Sequence, residues 1–176
     1  VQDLQRVLLI ENGTLRKEVH YVLGKAYFHR GRFFYDSAMK HLQAAEAEGM
    51  AQLDMLEYLA LASESLGMVD EAIGYYREAI AFGDEAVHKV SLADLLIEIG
   101  EYPEANRLLS EARSDTSDVS TIRHALLSSG RAYREQGRYD ESIASYEELI
   151  DMTPVSADAH YGLGETYYAM GDSNLA

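Results

Sequence analysis

The sequence predicts an all-α protein, a solenoid of stacked antiparallel helix pairs, and three observations predict it. "HYVLGKAYFHRG" at residues 20–31 returns as "HYGLGETYYAMG" at residues 160–171, with six of twelve letters identical at matching places. Between these echoes one glycine recurs at 31, 67, 100, 137 and 171, in steps of 36, 33, 37 and 34 residues. Seven residues before each of them stands Gly24, Ala60, Ala93, Gly130 or Gly164, small enough to let a second helix approach closely. A period of this length marks units that bury their apolar face only against the next copy.

The elements follow in order. Residues 1–16 read as a partial or capping helix, since "DLQRVLLIENG" (3–13) has the length and apolar density of a second helix without its first. Four units follow at 17–52, 53–85, 86–119 and 120–156, and residues 157–176 begin a truncated fifth. In each, the first helix ends at the recurrent glycine and the second opens on Ala38, Ala72, Ala105, Ser142 or Ala176. Leu42, Tyr76, Leu109 and Tyr146 stand four residues on, and Ala45, Ala79, Ala112 and Leu149 three beyond those. This i, i+4, i+7 stripe is one face of a helix. "GRFFYDSA" (31–38) carries two more residues than its siblings and predicts a bulged turn. "RSDTSDVST" (113–121) adds three and predicts a longer loop or extra half-turn that caps the next helix. Pro103 sits just inside a helix start, and Ser156 and Asp158 cap the last long helix and complement its dipole. Both ends read as cut, because "GDSNLA" stops where a second helix should begin.

A period near 34 with two helices per unit, small residues at the crossings and glycine at the turn resembles the tetratricopeptide repeat. "LGKAY" (23–27), "LGETY" (163–167) and the shorter "GRAY" (130–133) carry the first helix of that motif. "GMVDEAIGYYREAI", "GEYPEANRLLSEA" and "GRYDESIASYEELI" carry the turn and second helix, with Pro154 in the closing proline position. The chain departs from the motif in having no Trp, in Ala replacing the Gly of the second and third units, and in a single closing Pro. The resemblance implies a right-handed superhelix whose inner groove holds an extended peptide or a partner helix.

Composition narrows the partner classes. Thirty acidic residues against fifteen basic ones give a net charge of −15, which repels nucleic-acid backbones and anionic lipid. No apolar run approaches the roughly 18 residues of a membrane-inserting helix. The absence of Cys removes disulfides, thiolate metal sites and thiol nucleophiles, and leaves the compartment open. The six histidines, at 20, 29, 41, 88, 124 and 160, are read as lying on different units, with no i, i+3 or i, i+4 pair that would converge on one ion, so no metal site is predicted. Glu46, Glu48, Glu147 and Glu148 read as solvated helix faces and not as a carboxylate pair for acid–base chemistry. No catalytic residue, metal ligand or cofactor is predicted.

Function then falls to surface. Beside the packing stripe of each first helix runs a second one, Tyr21, Lys25 and Phe28 in the first unit. Its counterparts are Glu57, Leu61 and Glu64, then Val90, Asp94 and Ile97, then Leu127, Arg131 and Arg134, and finally Tyr161, Glu165 and Tyr168. By the resemblance, this stripe lines the groove. Tyr21, Phe28, Tyr161 and Tyr168 are expected as aromatic anchors on a face that packing does not need. Relatives that grip the carboxylate tail of heat-shock chaperones present Lys, Asn and Arg at positions held here by Tyr21, Lys25, Tyr58, Val87 and Ser91, so that clamp is absent. The expected role is a non-enzymatic protein-interaction scaffold for a protein or peptide partner. The alternatives are a self-assembling array whose open ends form a homo-oligomer, and a docking or regulatory segment of a larger enzyme.

Overall fold

The computed structural model describes residues 16–83 and 85–171, and among these every regular element is helical. The expected capping helix at 3–13 and the start of the fifth second helix at 172–176 lie outside the described residues. The chain forms two compact units, one ending at Gly83 and one beginning at Asp84.

The first unit contains α1 (Arg16–Phe28), a 3-10 turn (Arg32–Phe34), α2 (Tyr35–Ala47), α3 (Leu53–Leu66) and α4 (Val69–Gly83). Helices α1 and α2 form one hairpin, α3 and α4 another, and α3 packs on both α1 and α2. The second unit contains α5 (Ala86–Glu98), α6 (Tyr102–Asp115), α7 (Val119–Glu135), α8 (Tyr139–Met152) and α9 (Ala157–Met170). Here α5 pairs with α6 and α7 with α8, α7 packs on α5 and α6, and α9 packs on α7 and α8.

Glycine stops the helices by conformation. Gly67, Gly100 and Gly137 take φ of 76°, 81° and 71°, a left-handed geometry that costs other residues strain. Each closes the same double hydrogen bond: Gly67 N–H donates to Glu64 O at 3.0 Å while Met68 N–H donates to Ser63 O at 2.9 Å. The pairs Gly100 and Glu101, and Gly137 and Arg138, repeat it on α5 and α7. Carbonyls that a helix end leaves unpaired are thereby satisfied within a link of two or three residues, and the next helix starts at once. Gly31 instead has an extended ψ of 179° and leads into the 3-10 turn, so the two extra residues of "GRFFYDSA" form the expected bulge.

The second insertion behaves differently. Helix α6 continues to Asp115 and α7 begins at Val119, so the polar segment lengthens helices and leaves only a three-residue link. Asp118 caps α7, accepting from the Thr121 N–H at 2.8 Å and its hydroxyl at 2.7 Å. Thr121 and its neighbours are therefore helical, because the cap fixes the start at Asp118. Ser156 caps α9 as expected, accepting from Ala159 N–H at 3.4 Å.

Small residues sit where helices cross. Ala38, Ala45, Ala60, Ala72, Ala79, Ala93, Ala105 and Ala112 are completely buried, as is Leu42. A Cβ added to Gly24 would lie 2.5 Å from Leu42 Cγ, and one added to Gly130 would lie 2.5 Å from the Tyr146 ring. Gly162 on α9 meets the same ring, so Tyr146 of α8 is wedged between two glycine notches. Beside it the Ser142 hydroxyl lies 2.8 Å from Gly130 O and 2.9 Å from the Thr166 hydroxyl, which lies 2.8 Å from Gly162 O, so two hydroxyl protons serve three contacts. Each buried hydroxyl there has a partner, which removes the cost of its desolvation.

Candidate partner-binding face

The second stripe divides into residues that join consecutive first helices and residues that remain open. In the first unit it is largely closed. Lys25 Nζ lies 2.9 Å from Asp54 Oδ2 of α3 and donates to the Tyr21 hydroxyl at 3.1 Å, while that hydroxyl donates to Asp54. The ammonium also stands 4.9 Å from the Tyr21 ring centre and 5.4 Å from that of Tyr58. These hydrogen bonds raise the Lys25 pKa, and they hold the Asp54 carboxyl below its usual value against the opposing effect of burial.

Phe28 lies against Tyr35 and Tyr58, with ring centres 4.9 and 4.8 Å away. Both Phe28 and Tyr21 flank the core of Met39, Leu42, Met55 and Leu59. The expectation that these two rings occupy a face unused in packing is thus corrected. Residues Asp54 and Tyr58, one turn apart on α3, are the complement that sequence reading passed over. Of the α3 stripe, Glu57 is partly buried, Leu61 is exposed, and Glu64 accepts the Tyr76 hydroxyl of its own hairpin at 2.9 Å.

The second unit shows the same joining. Val90 and Ile97, expected in the groove, are 1% and 2% exposed and belong to the interior. Asp94 between them receives Ser128 Oγ at 2.6 Å and His124 Nε2 at 2.8 Å from α7, with Arg131 at 3.9 Å. The hydrogen bond to Asp94 raises the His124 pKa above its ordinary value. Leu127 packs beside the Leu126, Tyr146 and Leu149 core, and Arg134 pairs with Glu165 of α9.

Besides Leu61, the stripe stays most open on α9. Tyr161 and Tyr168 are 69% and 74% exposed. With His160, Gly164 and Glu165 they border a shallow recess of about 380 Å³. Two aromatic rings two turns apart, with a carboxylate between them, offer apolar area and a fixed charge on one line.

Two histidines also come together in three dimensions. His20 of α1 and His41 of α2 both fall in the segment 17–52, and their Nδ1 atoms lie 2.9 Å apart. The expectation that the histidines lie on different units is corrected: His20 and His41 belong to one hairpin and are in contact, which spacing within one helix does not report. Among the described residues no helix is long and apolar enough to cross a membrane.

Residues 21–86 match a family model described as tetratricopeptide repeat, and residues 130–171 match another described as TPR repeat. No curated protein matches the chain in sequence. A solved tetratricopeptide repeat protein from Parabacteroides merdae ATCC 43184 is similar over 97% of this chain, with a TM-score of 0.81 at 20% identity. The chain spans 66% of that protein's length. MamA from Desulfovibrio magneticus RS-1 is similar over 93% of this chain and 90% of its own, with a TM-score of 0.78 at 15% identity. MamA MSR-1 matches 92% of this chain and 90% of its own, with a TM-score of 0.73 at 21% identity. At such identities the likeness establishes the all-α solenoid fold.

Proposed function

Because this chain is a tetratricopeptide repeat protein, we propose that it is a non-enzymatic scaffold that captures another protein, seating an extended peptide or a partner helix on the α9 face. The observation that carries this reading is the exposure of Tyr161 and Tyr168 on one side of one helix. Elsewhere most of the stripe is engaged in contacts within the fold, Leu61 being exposed, whereas these rings have large areas left in water. Burying such rings against a partner is a ready source of binding energy. Glu165 already holds Arg134, so it presents an oriented carboxylate without paying again to order its side chain.

The test is a pull-down from a lysate of the source cell, run with the chain and with a Tyr161→Ala, Tyr168→Ala variant and read by mass spectrometry. A protein captured by the first and lost from the second supports recognition by this face. Equal capture by both sinks it. Recovery of the bait alone, with a solution mass that rises with concentration, transfers the same rings to self-assembly.

A further inference from the structure

We propose that the turn between α1 and α2 docks onto a second copy of this chain, Phe33 entering an apolar recess beyond the far end of α2 while its flanking arginines meet the carboxylates there. The carrying observation is that Phe33 is 100% exposed. It stands in the 3-10 turn made by the two extra residues of "GRFFYDSA". The hairpins α3/α4, α5/α6 and α7/α8 close without such a turn, so the insertion is not needed to join two helices.

The turn divides its rings between core and solvent. Phe34 is partly buried and stacks on Tyr27, with centres 6.1 Å apart, and the Arg30 guanidinium lies 4.0 Å from the Phe34 ring centre. Phe33 is left in water between Arg30 and Arg32, which are both exposed. Neither arginine is ion-paired with a described residue. A single exposed apolar side chain is ordinary. A phenyl ring raised on an insertion between two open cations, in a chain of net charge −15, has a particular complement.

The chain carries that complement. Glu46 of α2, Met50 of the following loop, Met55 of α3, and Glu78 and Phe82 of α4 border a recess of about 470 Å³. Met55 at its floor is 1% exposed, and among the described residues lining the recess none is basic. Burial, and then the charge of Glu78, raises the Glu46 pKa, so an arriving guanidinium would relieve both carboxylates. A ring set against the two methionines gains sulfur contacts along with apolar burial.

The turn cannot fill the recess of its own chain. Phe33 and Glu46 lie at opposite ends of α2, whose 13 residues span about 20 Å. Two copies must exchange the contact, reciprocally or head to tail. The interface is small and the net charge opposes it, so association belongs to high concentration and to about 0.15 M salt, where the Debye length is about 8 Å. This reading is independent of the α9 rings.

Sedimentation equilibrium from about 10 μM to about 1 mM tests it. The mass of the natural chain should rise with concentration. Phe33→Ser should weaken the association by about tenfold or more, and Tyr161→Ala, Tyr168→Ala should leave it unchanged. Arg32→Glu and Glu78→Arg should each associate poorly alone, whereas their equimolar mixture should recover, because the altered turn of one meets the altered recess of the other. All of these positions are exposed, and circular dichroism checks that each variant is folded. A natural chain that stays monomeric, undiminished association of Phe33→Ser, or a mixture no stronger than its parts would overturn the proposal. Association lost only in the α9 variant would assign self-assembly to α9, and a monomer that Phe33 binds to phosphatidylserine vesicles would assign the turn to lipid.

Discussion

Gly24 and Gly74 are both helical glycines, and the space around them predicts opposite responses to the same added methyl. At Gly24 the new Cβ would press on Leu42 Cγ at 2.5 Å and approach the Leu42 backbone nitrogen at 3.1 Å, and Leu42 is fully buried. At Gly74 nothing lies within 4 Å. Ala gains about 1 kcal/mol of helix propensity over Gly in either place, whereas overpacking a close crossing costs about 1–3 kcal/mol. Urea unfolding should therefore find Gly24→Ala neutral to destabilising by up to about 2 kcal/mol, and Gly74→Ala stabilising by up to about 1 kcal/mol. A stabilised Gly24→Ala would mean that α1 and α2 do not cross there. The histidines allow a second check at this scale. His124, hydrogen-bonded to Asp94, should titrate above its ordinary value, and His20 and His41, desolvated, below theirs. The raised pKa makes the His124 contribution fully present below about pH 6.5 and lost as pH rises through the folded-state value. An Asp94→Asn variant should remove that loss from the pH profile of stability. NMR titration of the single Cε1–H lines would sink this assignment if His124 inflected below the others.

Helices α1 and α9 carry the related stretches at 20–31 and 160–171, identical at six of twelve positions, and place their rings in opposite circumstances. Tyr21 and Phe28 pack against α3, so Tyr21→Ala, Phe28→Ala should lower the melting temperature; losing a buried Phe side chain costs about 3–5 kcal/mol, less for rings only partly buried. Tyr161→Ala, Tyr168→Ala should leave it within about 0.5 kcal/mol of the parent stability, as surface changes do. Equal melting shifts from the two variants would contradict this division. The comparison also marks how far sequence reaches. The ends of the first helices were legible because each is written locally, in one glycine with a positive φ. The buried i, i+4, i+7 stripe was legible because periodicity reports burial within a single helix. The fate of the second stripe was not, since it depends on what the neighbouring first helix presents. Asp54 answers Lys25 at a distance of 29 residues, Arg131 answers Asp94 at 37, and Glu165 answers Arg134 at 31. Opposite charges about one repeat apart were the available signal, and they show that stripe charge is partly mortar between helices. His20 and His41 were missed for the same reason, lying 21 residues apart on the two arms of one hairpin.

For the molecule as a whole, the net charge of −15 and the local ion pairs pull in different directions, and distance decides between them. Lys89 to Asp115 at 2.6 Å and Arg113 to Glu148 at 2.6 Å are contact pairs that salt reaches poorly. Repulsion among the unbalanced carboxylates acts over longer distances, and it is these that screening removes: the Debye length falls from about 30 Å at 0.01 M to about 10 Å at 0.1 M. Raising sodium chloride across that range should therefore increase the melting temperature, because it relieves the self-repulsion and leaves contact pairs largely intact. The same field should speed the encounter with a basic partner at low salt and slow it as salt rises, while an acidic partner should show the reverse. Melting measured at both salt concentrations checks the first claim directly. A melting temperature that falls with salt would mean that the helix-to-helix pairs outweigh the net charge, and would make them the main electrostatic support of the fold.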